Sequence, residues 1–305
     1  MTENFDIIIC LHKKNIKGFH LTIQQIKKFL NNSRIKIIAN KELKNEIEKI
    51  DSKLIFIDED HLVKDLTLEN IKRQLTELIG IDKRSGWYFQ QFLKMGYSLS
   101  ENCSEYYLIW DSDLILLKPT SFFEKDKIIL YKKKEYHKPY FETLEKILGL
   151  NKEFDFSFIA EHMLVKREIM KELIYKIEEN KNLVGKNYFE KILNSIKKSD
   201  LNKSGFSEFE TYGTYSLKNY PELFTLKQMN AWRDAGSILN NIKIDNYILK
   251  KLEKSEYDNF SLEFWSEPYK YNFLIKNKLL ITIFGFFNIV SLIKYLNKLF
   301  SWRKK

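Results

Sequence analysis

Residues 105–119 read EYYLIWDSDLILLKP, two aspartates one residue apart between two apolar runs. An ionised carboxylate away from water is costly unless it is paired or bound to a metal. A second one beside it adds like-charge repulsion. Either a strand ends at Trp110 and the acids occupy a solvated turn, or the pair holds something positive. Alternation along an extended chain points Asp111 and Asp113 to one side and Ser112 to the other. Two carboxylates so placed suit a hard divalent cation, Mg2+ or Mn2+, with positions left for water and substrate phosphates. The matching chemistry is the departure of a phosphate-bearing group stabilised by a metal.

Such a pair needs a scaffold that brings it to an edge. FDIIICL (5–11) is a continuous apolar run, the pattern of a strand covered on both faces. Residues 16–30 then repeat apolar side chains at helical spacing, followed by strand patterns at 34–40, 53–60, 105–110 and 127–133. Strands alternating with helices predict an α/β protein with a parallel sheet. Ligands of open α/β sheets bind beyond the carboxyl ends of the strands, where Asp111 and Asp113 would stand. Between the third and fourth strands, residues 84–100 predict a helix with Ser85 as its N-cap. Residues 166–180 predict an amphipathic helix.

Composition narrows the function classes. With 305 residues, 44% hydrophobic and 15% aromatic, the chain can bury a large core and is not a disordered protein. Two cysteines make no disulfide framework, and the N-terminus lacks a signal-peptide pattern, so a cytoplasmic setting is expected. The net charge is +10, yet seven Lys or Arg and no acid lie between Lys276 and the C-terminus. A nucleic-acid binder would be expected to carry its basic surface on the body of the fold, so no nucleic-acid partner is expected.

WDSDLILLKP (110–119), GWYFQQFLKMG (86–96), FIAEHMLV (158–165) and GFSEFETYGTYSL (205–217) occur in an order and spacing that resembles bacterial GT-A-type glycosyltransferases of surface-polysaccharide and lipopolysaccharide assembly. The resemblance runs from about residue 5 to 235. It implies a GT-A-like Rossmann-type sheet, with a nucleotide-sugar half over about 1–135 and an acceptor half over about 136–275. It also implies a divalent metal held through Asp111 and Asp113, the first acid near the nucleotide ribose and the second on the metal and diphosphate. Many such enzymes add a late histidine ligand. All five histidines here lie within the first 162 residues, which leaves water, a late acid or His162 for that place.

Other residues break their local pattern. Arg84 could reach a nucleotide diphosphate, as an arginine fork does, or lie on the surface. Trp87, Gln91 and Lys94 could line the donor pocket, although Trp87 reads more readily as core. Glu161 and His162 interrupt an apolar run, as expected of acceptor-binding residues or of a helix-terminal acid beside a core histidine. Glu208 is the first candidate for a base that takes the acceptor proton, Glu210 for orienting the acceptor, and Asp234 is a reserve base. Two exposed loop acids are the plainer reading of Glu208 and Glu210.

At the C-terminus, residues 279–293 carry no charge but are too short to span a bilayer, which takes about 20 residues. Continued to Trp302, the pattern becomes an amphipathic helix ending in WRKK, expected to lie on the inner-membrane surface or to pack on the protein's own core. The expectation is a metal-dependent hexosyltransferase that takes a UDP-sugar and serves a glycan or lipid-linked acceptor. A metal-dependent nucleotidyltransferase or phosphohydrolase, and a non-catalytic membrane-surface scaffold, are the alternatives.

Overall fold

A computed structural model of the chain describes residues 5–30, 34–239, 242–262, 269 and 271–301. The protein is mixed α/β, with a parallel-rich central sheet. Its strands are β1 (Asp6–Leu11), β2 (Arg34–Ala39), β3 (Ile55–Asp58), β4 (Tyr106–Trp110), β5 (Leu114–Leu116) and β6 (Phe123–Glu124). They continue as β7 (Lys127–Lys132), β8 (His162–Lys166), β9 (Phe224–Gln228), β10 (Ala231–Trp232) and β11 (Asn259–Ser261). The chain divides into two compact units, the first made of Met1–Lys13, Asn32–Asp111 and Ser121–Gln228.

In the first unit the sheet order is β3-β2-β1-β4-β8, parallel throughout except for β8, which runs antiparallel to β4. The apolar runs explain it: Ile7, Ile8 and Ile9 are wholly buried, as strands covered on both faces require. At the amino end of β1, Asp6 is buried among Lys36 at 3.1 Å, Arg34 at 3.0 Å and the Tyr97 hydroxyl at 2.8 Å. Burial pushes its carboxyl up, but hydrogen bonds from Tyr97, Lys36 and Ser104 outweigh that and hold it low. A smaller sheet, β6-β7-β9, belongs to the same unit.

The helix Ser85–Gly96 forms where the sequence predicts it, but its N-cap is Arg84, and Ser85 is its first helical residue. The segment after Gly205 is also helical, over Glu208–Asn219, with the Ser207 hydroxyl accepting from the Glu210 N–H. Gly213 in this helix is pressed against Phe158, whose ring lies 2.4 Å from where a β-carbon would stand. Gly213→Ala is therefore expected to destabilise the protein by about 1–3 kcal/mol through overpacking. Urea unfolding measures this, and an unchanged midpoint would contradict the tight contact.

The second unit comprises Lys14–Asn31, Ser112–Thr120 and Met229–Lys305. In its sheet, β11 lies between β10, parallel to it, and β5, antiparallel. The helix Ile16–Phe29 fastens β5 and the segment just before it. Thr22 donates to the Ser112 carbonyl at 2.9 Å, Asn15 to the Ser112 hydroxyl at 2.8 Å, and Gln25 to the Leu116 carbonyl at 2.8 Å.

The expected C-terminal helix is two helices, Lys278–Phe284 and Phe286–Ser301, bent by 102° about Gly285, whose φ is +80°. Only glycine adopts that conformation readily. Ile281, Phe286, Ile289, Val290 and Ile293 are buried in this unit's core, with Trp232, Leu239 and Phe260. Residues 278–301 thus belong to the second unit. The apolar side chains expected on one lipid-facing stripe divide: Ile289, Val290 and Ile293 go inward, while Leu292 and Leu299 are exposed. Among the described residues no single helix is long and apolar enough to cross a membrane.

Candidate active site

The strand β4 ends at Trp110, and the Asp111 N–H donates to the Glu161 carbonyl at 3.0 Å, beside the start of β8. This places Asp111 at the carboxyl end of a central strand. The positive charge that the sequence called for is a side chain of the first unit itself. Lys94, from the helix Ser85–Gly96, donates to Asp111 Oδ1 at 2.6 Å and to Glu208 Oε1 at 2.8 Å. The Lys94 and Glu208 side chains are 1% and 4% exposed, and Asp111 is 27% exposed, so Asp111 is the member that meets solvent.

The electrostatics follow from that burial. Loss of water alone would lower the Lys94 ammonium, but the Asp111 and Glu208 carboxylates overcome it and raise it. Burial pushes the Asp111 carboxyl up to about 6; Lys94 opposes this and the Glu208 charge adds to it. A buried ammonium between two carboxylates is a weak device for stability, because desolvation offsets most of the attraction. It is a good device for holding one carboxylate ionised and aimed at the edge of a sheet.

The neighbouring candidates have definite places. Gln91 spans two elements: its Oε1 accepts from the Glu208 N–H at 3.2 Å and its Nε2 donates to the Trp87 carbonyl at 3.3 Å. Buried amides need such partners, so Gln91 fixes the two helices that carry Lys94 and Glu208. Arg84 donates to the Lys203 carbonyl and to the Ser204 hydroxyl at 3.0 Å, and its guanidinium lies 4.3 Å over the Trp87 ring. Both of its hydrogen bonds tie it to the loop before the helix Glu208–Asn219.

Glu161 is buried and accepts from Lys133 at 3.3 Å. His162 sits in an aromatic box, stacked on Trp110 at 5.3 Å and edged by Phe122 at 5.6 Å and Tyr131 at 5.3 Å. Burial pushes its imidazole down to about 3, with the Lys133 charge adding to the effect. It is neutral at pH 7. Glu210 is buried and accepts from the Phe158 N–H at 2.7 Å and the Thr214 hydroxyl at 2.8 Å, pinning the segment that leads to Glu161. Burial raises its carboxyl.

Asp113 belongs to the second unit, where its carbonyl accepts from the Leu262 N–H at 2.9 Å. Asp234 falls in the short turn Arg233–Ala235, and its side chain lies outside the described residues. Among the described residues no three His, Cys, Asp or Glu side chains converge as a metal-binding group. One oxygen of Asp111 is already taken by Lys94. The described side chains thus offer no complete protein ligand set for a metal, and water and substrate phosphates would have to supply the remaining positions.

Sequence reasoning missed Glu59. It follows β3 at the same edge of the sheet, half-buried, and burial together with the Asp60 and Asp58 charges pushes it up to about 7. The signal was present as three consecutive acids, Asp58, Glu59 and Asp60, at a strand end.

Solved structures with a similar chain trace include mouse xyloside xylosyltransferase 1 in its apo form, at a TM-score of 0.45 and 9% identity, covering 85% of this chain and 97% of that one. The WbbM bifunctional glycosyltransferase gives 0.49 and 11%, covering 88% of this chain, which spans 47% of WbbM. The galactosyltransferase LgtC, solved with donor and acceptor sugar analogues, gives 0.43 and 8%, covering 87% and 90%. These are likenesses only. No curated protein matches the chain. A family profile does match, over residues 3–270, and by that match the chain belongs to DUF6492, a family of unknown function.

Proposed function

We propose that this protein is a glycosyltransferase that takes a UDP-sugar, with a hexose as the transferred group, and delivers it to a glycan or lipid-linked acceptor of the bacterial surface. The observation that carries this reading is the Lys94–Asp111–Glu208 cluster at the carboxyl end of β4. A parallel sheet receives its ligand at that edge. A buried charge cluster that contributes little to stability is expected where function requires it. The four motif segments of the sequence resemblance add to this.

In the transfer, the bond from the sugar's anomeric carbon to the diphosphate oxygen breaks. A bond to the acceptor hydroxyl oxygen forms, and the hydroxyl proton leaves to a base. Asp111 would accept a hydrogen bond from a donor hydroxyl, kept ionised and oriented by Lys94. Glu208, expected from the sequence to be the base, is ion-paired with the buried Lys94 and would instead hold that lysine in place. A divalent ion on the D-x-D acids is the expected cofactor, and its chemistry when bound would be to neutralise the departing diphosphate.

The test is calorimetric titration of UDP into the purified protein, with Mn2+ and with EDTA, on the wild type and on Asp113→Ala. Binding that needs Mn2+ and is lost in the variant supports both the nucleotide and the metal. Binding equal in EDTA supports the nucleotide alone. A folded wild type that takes up neither UDP nor any other nucleoside diphosphate under either condition sinks the proposal.

A further inference from the structure

The two C-terminal helices carry an unusual surface. Of twelve large hydrophobic side chains exposed among the described residues, seven lie between Phe273 and Leu299. On the helix Lys278–Phe284, Leu279 and Ile283 stand one turn apart at 66% and 62% exposure, with Phe284 beside them at 58%. On the helix Phe286–Ser301, Leu292, Tyr295 and Leu299 follow at spacings of three and four, 47–62% exposed. Such spacing makes one stripe on a helix face. Phe286, Ile289, Val290 and Ile293 form a different stripe, buried in the core. This helix therefore has an inner apolar face that its own unit covers and an outer one that it leaves in water.

We propose that this outer face docks on an anionic membrane surface, with the two helices lying in the interface. Scattered single hydrophobics on a surface need no explanation, but a concentration of this kind marks an interaction site. The charge around it selects the occupant. Seven Lys or Arg and no acid lie from Lys276 to the C-terminus, with Lys276 and Lys298 exposed and Lys278 paired to Asp245 at 2.8 Å. A second copy of the chain, meeting this face through a two-fold axis, would bring like charge against like charge. Anionic headgroups complement the lysines, and acyl chains receive the apolar stripe. Spanning is disfavoured, because the inner face is already fixed in the core and the helices turn by 102° at Gly285.

This inference does not rest on the glycosyltransferase reading, and either can fail alone. The test is co-sedimentation of the full chain with vesicles of phosphatidylcholine containing 30% phosphatidylglycerol, and with phosphatidylcholine alone. The expected result is binding to the anionic vesicles that is at least tenfold tighter than to the neutral ones and weakens with salt. Leu279→Glu/Ile283→Glu and Tyr295→Glu/Leu299→Glu should each lose at least tenfold with an unchanged thermal transition. Lys276→Glu/Lys298→Glu should lose the preference for anionic lipid. As a readout that tolerates an unstable double variant, Tyr295→Cys carrying a polarity-sensitive fluorophore should shift to the blue when anionic vesicles are added. An unshifted fluorophore, no binding by the wild type, or a wild-type dimer dissociated by the outer-face glutamates would each overturn the proposal, the last in favour of a second copy.

Discussion

Lys94→Met is expected to lower the free energy of unfolding by about 3–5 kcal/mol, the usual loss when one partner of a buried ion pair is removed. The wild-type ammonium is 1% exposed and touches two carboxylates, one of which is itself 4% exposed. Methionine fills much of the same volume, so little of the effect comes from a cavity. The loss arises because Asp111 and Glu208 remain without a counter-ion. Neutralising all three groups, as Lys94→Met/Asp111→Asn/Glu208→Gln, should therefore recover most of the stability in urea unfolding. A single variant within about 1 kcal/mol of the wild type would show that the cluster is not the buried ionic unit described.

The second large effect is on ligand binding. Asp111→Ala is expected to weaken UDP binding by about 10- to 150-fold, which corresponds to about 1.5–3 kcal/mol for a hydrogen bond to a charged group. The pH dependence gives a separate check. The Asp111 carboxyl is pushed up to about 6, and only its ionised form is a full acceptor. Binding should be complete above about pH 7 and fall as pH drops through about 6, reaching about one-tenth near pH 5. In Asp111→Ala this step should vanish. A wild-type profile flat from pH 5 to 8, with nucleotide bound, would separate binding from the ionisation of Asp111.

Much of the first unit was legible because its strands are written as continuous Ile and Leu runs, and buried parallel strands demand such runs. The end of β4 was marked by the change from Trp110 to Asp111. What could not be read was the partner of that acid. Lys94 was visible as a lysine amid aromatics, but its salt bridges join residues 17 and 114 positions apart, which no local pattern encodes. Glu208 and Glu210 were more recoverable than the sequence reading allowed. Ser207 followed three residues later by Glu210 is the S-x-x-E pattern of a helix start, and the helix is there. The tail shows a different limit. Periodicity revealed an apolar helix, but it does not say which of two apolar faces the core will take.

The two native thiols bear on how these experiments can be done. Burial pushes both Cys10 and Cys103 up to about 12, and the Cys10 sulfur is turned to the Gln90 carbonyl at 3.7 Å. The thiolate is the nucleophile that attacks alkylating reagents. At neutral pH these two cysteines hold thousands of times less of it than an ordinary cysteine with a pKa near 8.5. The native protein should thus be close to silent toward maleimides. A cysteine placed at Tyr295 or Ile283 could then be labelled selectively with Cys10 and Cys103 left in place, and no core position need be disturbed to obtain a single reporter.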